Sequence, residues 1–75
     1  MDIERIRQKL RAGALPRRRQ SKTWRGTGSA RICMACDRII ARDDTEIECD
    51  DLEGRPLRFH KECFEAWETE CEAGA

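Results

Sequence analysis

Two short cysteine–histidine pairs constrain this chain more than any other feature. Two residues separate Cys33 from Cys36 and His60 from Cys63, and 23 residues lie between the pairs. Two intervening residues let a tight turn aim both side chains of a pair at one point. Thiolate and imidazole are the donors that tetrahedral Zn(II) prefers. Four donors from one chain close the coordination sphere, which points to a structural metal, because a catalytic zinc keeps one position open. The sequence therefore predicts one Zn(2+) per chain, held by Cys33, Cys36, His60 and Cys63. A lone C-x2-C also occurs as two buried small residues or as a redox pair. No βαβ pattern surrounds this one, no second histidine competes, and a matching pair follows.

The size of the chain gives such a metal its importance. At 75 residues, the chain buries only about 60% of the surface it exposes when unfolded. Its aromatic residues are Trp24, Phe59, Phe64 and Trp67, and 40% of the chain is charged. Ordering the backbone costs roughly 1–2 kcal/mol per residue, so a core this small needs a disulfide or a metal to hold it. Five cysteines would leave one over from a full disulfide set. The stretch Met1-Asp2-Ile3-Glu4-Arg5 has no apolar run and no cleavage site, so no signal peptide is expected. No segment approaches the ~20 apolar residues of a membrane span. These features place the chain in the cytoplasm, away from membranes, where thiols stay reduced and paired cysteines hold metal.

The formal net charge is zero, yet the signs are segregated. Residues 1–31 carry ten Lys/Arg and two Asp/Glu, and residues 32–75 carry five and thirteen. The expected division is a basic N-terminal arm, 1–31, with a short helix over 2–12, and a zinc-binding module, 32–75. In the helix, Asp2 suits the N-cap and Glu4 the first turn. Ile3, Ile6 and Leu10 form an apolar stripe, and Gly13 ends it. So short a helix is marginal alone and must dock on the module, a second copy or a partner. After it, Arg17 to Arg25 shows no periodicity, and Gly26-Thr27-Gly28-Ser29 reads as a flexible hinge.

Between the ligand pairs the pattern is β. Arg38 to Ala41 is expected as a short strand, turned by Arg42-Asp43-Asp44. Thr45 to Asp50 alternates, with Thr45, Ile47 and Cys49 on one face and Glu46, Glu48 and Asp50 on the other. Asp51 to Gly54 makes a turn in which Gly54 can take positive φ. The returning strand, Arg55 to Phe59, puts Leu57 and Phe59 on one face, with Arg55 and Arg58 set to pair with the acidic row. Lys61 to Cys71 reads as a helix with Phe64, Trp67 and Cys71 as its apolar stripe.

A knuckle, a hairpin and a helix whose first turn brings the second ligand pair form a treble-clef-like arrangement. The fold class expected is thus a small α+β zinc-stapled domain. Cys33-x2-Cys36, Glu46-Ile47-Glu48 and Phe59-His60-Lys61-Glu62-Cys63-Phe64 resemble the first zinc module of a LIM domain, over residues 31–72. They are also similar to small bacterial proteins with a single such site. The resemblance implies the four ligands and no more. No second C-x2-C module follows Cys63, so the two-module protein-docking surface of LIM domains does not carry over.

Two cysteines are spare. Cys49 and Cys71 read as small apolar residues beside Ile47 and Trp67. A disulfide between them, or replacement of His60 by Cys49 in the metal sphere, are the other readings. Catalysis is not expected, because the only histidine is assigned to metal and Glu62, Glu65, Glu68 and Glu72 lie at the spacing of a solvated helix face. Nucleic acid is a possible partner through Arg17, Arg18, Arg19, Lys22, Trp24 and Arg25. The acidic helix, repelled by phosphate, cannot read a groove. The arm could equally fold onto the acidic body of its own chain or a second copy, making self-association possible. The preferred expectation is an adaptor or regulatory protein with a protein partner.

Overall fold

The computed structural model describes residues 3–74. The elements run α1 (Ile3–Ala12), β1 (Thr23–Thr27), β2 (Thr45–Asp50), β3 (Pro56–His60) and α2 (Lys61–Glu72). The three strands form one antiparallel sheet in the order β1-β2-β3. Asp2, expected as the N-cap of α1, lies outside the described residues. No helix among them is long and apolar enough to cross a membrane.

Each element follows from its local sequence. In α1, Ile6 and Leu10 are buried at 1% and 3% exposure, so the helix stripe docks on the body of its own chain. Gly13 ends the helix at φ +77°, and Ala14 N–H returns to the Lys9 carbonyl at 2.9 Å, closing the last turn. On β2, Ile47 and Cys49 face the core, paired with Phe59 and Leu57 of β3. The hairpin turn is organised by Asp51, whose carboxylate accepts from the backbone N–H groups of Glu53 and Arg55 at 2.8 and 2.9 Å. Gly54 takes φ +87° there.

α2 covers the sheet through an aromatic triad. Phe59 and Trp67 stack with centroids 4.9 Å apart, and Phe64 meets Phe59 edge-on at 5.9 Å. The Trp67 indole N–H donates to the Pro16 carbonyl at 2.9 Å, so the segment after α1 is tied to α2. Ile6, Leu10 and Leu15 belong to the same buried cluster as Cys33, Phe59, Cys63 and Trp67.

Four local expectations are corrected. Arg38 to Ala41 is not a strand; the segment makes one isolated bridge, Ile32 with Ile39, because the chain must coil back around the Cys33–Cys36 turn. Thr23 to Thr27 is a strand, β1, although its sequence lacks an apolar alternation. All five residues are exposed, so tertiary pairing with β2 creates the strand and burial leaves no trace in its composition. Gly28 is no hinge. A Cβ there would lie 1.8 Å from the Ala41 carbonyl oxygen, so glycine is required by close backbone approach. Arg55 also pairs with Asp51 at 2.8 Å rather than across the sheet, while Arg58 does reach Glu48 at 3.5 Å.

Gly28→Ala should therefore lower the urea midpoint, by an overpacking cost of about 1–3 kcal/mol. Gly26→Ala, which meets open space, should leave it unchanged or slightly raised.

Candidate metal centre

Cys33 and Cys36 sit on a tight turn that the backbone closes on itself. Asp37 N–H donates to the Cys33 carbonyl at 2.9 Å, and Cys33 N–H to the Arg38 carbonyl at 2.8 Å. The turn requires a left-handed residue, and Asp37 supplies it at φ +64°. Aspartate tolerates that region better than most side chains because its short polar group bonds locally. Met34 N–H donates to the Arg58 carbonyl at 2.9 Å, pinning the turn beside β3.

The second pair is placed by the junction of β3 and α2. His60 is the last residue of β3 and caps α2 with φ −59° and ψ 149°, while Cys63 lies in the first turn of the helix. An anionic sulfur in that turn is favoured by the helix dipole. The four donor atoms of Cys33, Cys36, His60 and Cys63 lie within 4.8 Å of one another. A tetrahedral centre with Zn–S bonds of about 2.3 Å spaces its sulfurs about 3.8 Å apart. The cluster is thus a small side-chain adjustment from tetrahedral, and it could bind one metal ion.

The imidazole is oriented for this purpose. His60 Nδ1 faces the sulfurs, 3.4 Å from Cys36 Sγ and 3.9 Å from Cys63 Sγ. Nε2 lies 3.2 Å from the Ile39 carbonyl, an acceptor, and 3.6 Å from Asp44 Oδ2. That environment assigns the ring proton to Nε2 and leaves the Nδ1 lone pair for a metal. Among the thiols, the hydrogen bond from Cys63 holds the Cys33 pKa far below the usual thiol range, helped by backbone hydrogen bonds from Cys36, His60 and Ala35. Cys63 is pushed up in return by that same bond and by burial. Three sulfurs this close cannot all ionise together unless a cation lies among them.

Helix α1 docks on the module, one of the placements its sequence left open, and it braces the same turn, a location the sequence did not specify. Lys9 Nζ donates to the Met34 carbonyl at 2.8 Å and to Asp37 Oδ1 at 2.6 Å. Arg5 Nη1 donates to the Cys36 carbonyl at 3.0 Å and to Asp37 Oδ2 at 3.3 Å. The advance signals were the excess of cations in the arm and the apolar stripe of a helix too short to stand alone. Two further cations of the arm reach α2. Arg7 pairs with Glu70 at 2.5 Å, and Arg19 with Glu68. Glu68, of the helix face expected to be solvated, is therefore engaged, and Glu70, outside that face, is buried at 8% exposure.

The remaining predicted residues are scattered. Arg19 lies over the Phe64 ring at 5.3 Å, besides its pair with Glu68. Arg17 and Arg18 are exposed beside Cys71 and Glu72. Lys22 lies over the Trp24 ring at 5.3 Å, and Trp24 and Arg25 sit on β1. Cys49 and Cys71 are free thiols outside the ligand cluster. Burial pushes the Cys49 thiol up to about 11, so it stays protonated at neutral pH as a small apolar core residue. Burial raises Cys71 as well.

Comparison with family models, with curated proteins and with solved structures gave no match.

Cys36→Ser should abolish stoichiometric metal binding, and Cys49→Ser should leave it at one ion per chain, both read by native mass spectrometry. Lys9→Met removes two hydrogen bonds to the ligand turn. It should weaken Zn(2+) affinity by about tenfold, measured by chelator competition.

Proposed function

We propose that this chain is a zinc-stapled binding module with one closed structural Zn(2+) and no catalytic role. The convergence of Cys33, Cys36, His60 and Cys63 carries the reading. Three thiolates and one imidazole are the donor set that selects zinc over harder cations. When bound, the metal supplies a rigid crosslink between the Cys33–Cys36 turn and the start of α2. With four protein donors, no position remains for substrate or activated water. The order of knuckle, hairpin and helix-borne second pair is that of a treble clef, similar to half of a LIM domain. The reduced thiols suit a reducing compartment, hence the cytoplasm.

In this reading the chain works by presenting a surface to a protein partner, as an adaptor or regulatory accessory. Support comes from how its charges are used. Arg5, Arg7, Lys9 and Arg19 of the basic arm are engaged by Asp37, Glu70 and Glu68 of the same chain. Cations already paired with carboxylates contribute little to phosphate binding. Nucleic acid stays the second reading for one reason: Lys22, Trp24 and Arg25 are each exposed, and neither cation is paired with a carboxylate among the described residues.

Structural zinc contributes on the order of 10–16 kcal/mol to finger peptides, more than this core supplies. An open cleft borders Cys36, His60 and Cys63, so a chelator can reach the ion. Chelation should collapse the dispersed amide resonances of residues 33–71 to random-coil positions, and added Zn(2+) should restore them. Retained dispersion after complete metal removal would refute the stapling role.

A further inference from the structure

Strand β1 ends the sheet. The Gly28 N–H bond to the Asp44 carbonyl at 2.9 Å fixes the phase of the β1–β2 ladder. Residues 24 and 26 then exchange bonds with β2, and the backbone N–H and C=O groups of Thr23, Arg25 and Thr27 point away from it. No proline or bulge interrupts this edge, and all five of its residues are exposed. An unprotected edge of this kind is a template for another strand.

The edge also carries cations, Arg25 on the strand and Lys22 just before it, that no neighbouring carboxylate pairs among the described residues. Of the three carboxylates on β2, Glu46 accepts from Ser29 N–H and Oγ at 3.0 and 2.8 Å, Glu48 pairs with Arg58, and Asp50 makes no ion pair among the described residues. Lys22 and Arg25 make no ion pair among the described residues, in contrast to Arg7 and Arg19. Trp24 stands on the opposite face from Arg25, 45% exposed.

We propose that β1 is a docking edge for an extended acidic peptide of a partner protein, which adds as a fourth strand. This deepens the binding-module reading and rests on it. The chemistry sets the partner's pattern. A carboxylate opposite Arg25 satisfies the unpaired guanidinium, and an apolar side chain opposite Trp24 covers the indole, so acidic and apolar residues alternate along the peptide. A second copy is the wrong occupant. Antiparallel pairing of β1 with its own copy over all five residues sets Arg25 opposite Arg25, and like charges in that position destabilise the pair. A nucleic acid would use Trp24 and the cations but leave the outward backbone groups without strand partners.

The test uses the full zinc-loaded chain and a short labelled peptide alternating valine and glutamate. A valine–lysine peptide and a labelled oligothymidylate serve as comparisons. Binding is followed by anisotropy, and amide hydrogen exchange is followed by NMR. The expected result is saturable binding of the acidic peptide with new protection at Thr23, Arg25 and Thr27. Thr23→Pro, which removes an outward N–H without touching a β2 bond, should abolish that binding. Arg25→Glu should weaken it by about five- to tenfold and favour the valine–lysine peptide. No binding, binding without protection at those three amides, equal binding of the basic peptide, or binding of oligothymidylate alone would each overturn the proposal. Because the metal content and amide dispersion of the same sample are measured, failure at this edge is distinguishable from failure of the zinc-stapled module.

Discussion

Three sulfurs and a ring nitrogen lie within 4.8 Å of one another, and the sulfurs repel one another when they ionise. Two thiolates about 4 Å apart at an effective dielectric of about 20 interact unfavourably by about 4 kcal/mol. The conflict is visible in the opposite displacements of Cys33 and Cys63, where one thiol ionises at the other's expense. A divalent cation bound there would turn this repulsion into four bonds. In the proposed zinc-stapled module the rest of the structure depends on that conversion, because the ligand pairs come from the two ends of the module. The Cys33–Cys36 turn has little regular structure of its own, and the His60–Cys63 pair joins the last strand to the covering helix. Fixing one to the other sets where α2 lies on the sheet, and so where Phe64 and Trp67 meet Phe59.

The segregation of charge along the chain has a physical outcome here. The cations of α1 fold against the acidic half, and Lys9 and Arg5 meet the backbone of the ligand turn. A centre of three thiolates, one neutral imidazole and Zn(2+) carries one net negative charge, so cations beside it are favourably placed. Asp37 joins the two roles. Its backbone supplies the left-handed step that lets the turn close, and its carboxylate receives both cations. Helix α1, too short to persist alone, is held by its apolar stripe on one side and these bonds on the other.

The convergence of Cys33, Cys36, His60 and Cys63 was legible because it follows from residue type and the short spacing within each pair. The same holds for α2, with Phe64 and Trp67 at helical spacing, and for β2, where Ile47 and Cys49 alternate with acidic residues. What could not be read depended on distant partners. β1 has the composition of a linker, and only β2 makes it a strand. Gly28 looks like a flexible residue until Ala41 is brought against it. Arg38 to Ala41 has the propensity of a strand, but the turn that aims Cys33 and Cys36 leaves room for a single bridge. Glu70 resembles its neighbours in sequence, and its burial reflects the placement of Arg7 from the far end of the chain. A pattern reports the face a residue prefers; the element that covers that face is decided elsewhere.

The most direct measurement is X-ray absorption at the zinc edge of the loaded chain. The account predicts one shell of three sulfurs at about 2.3 Å and one nitrogen at about 2.0–2.1 Å, with no oxygen donor. A four-sulfur shell, which would bring Cys49 in for His60, or a bound water in place of any of the four side chains, would contradict it.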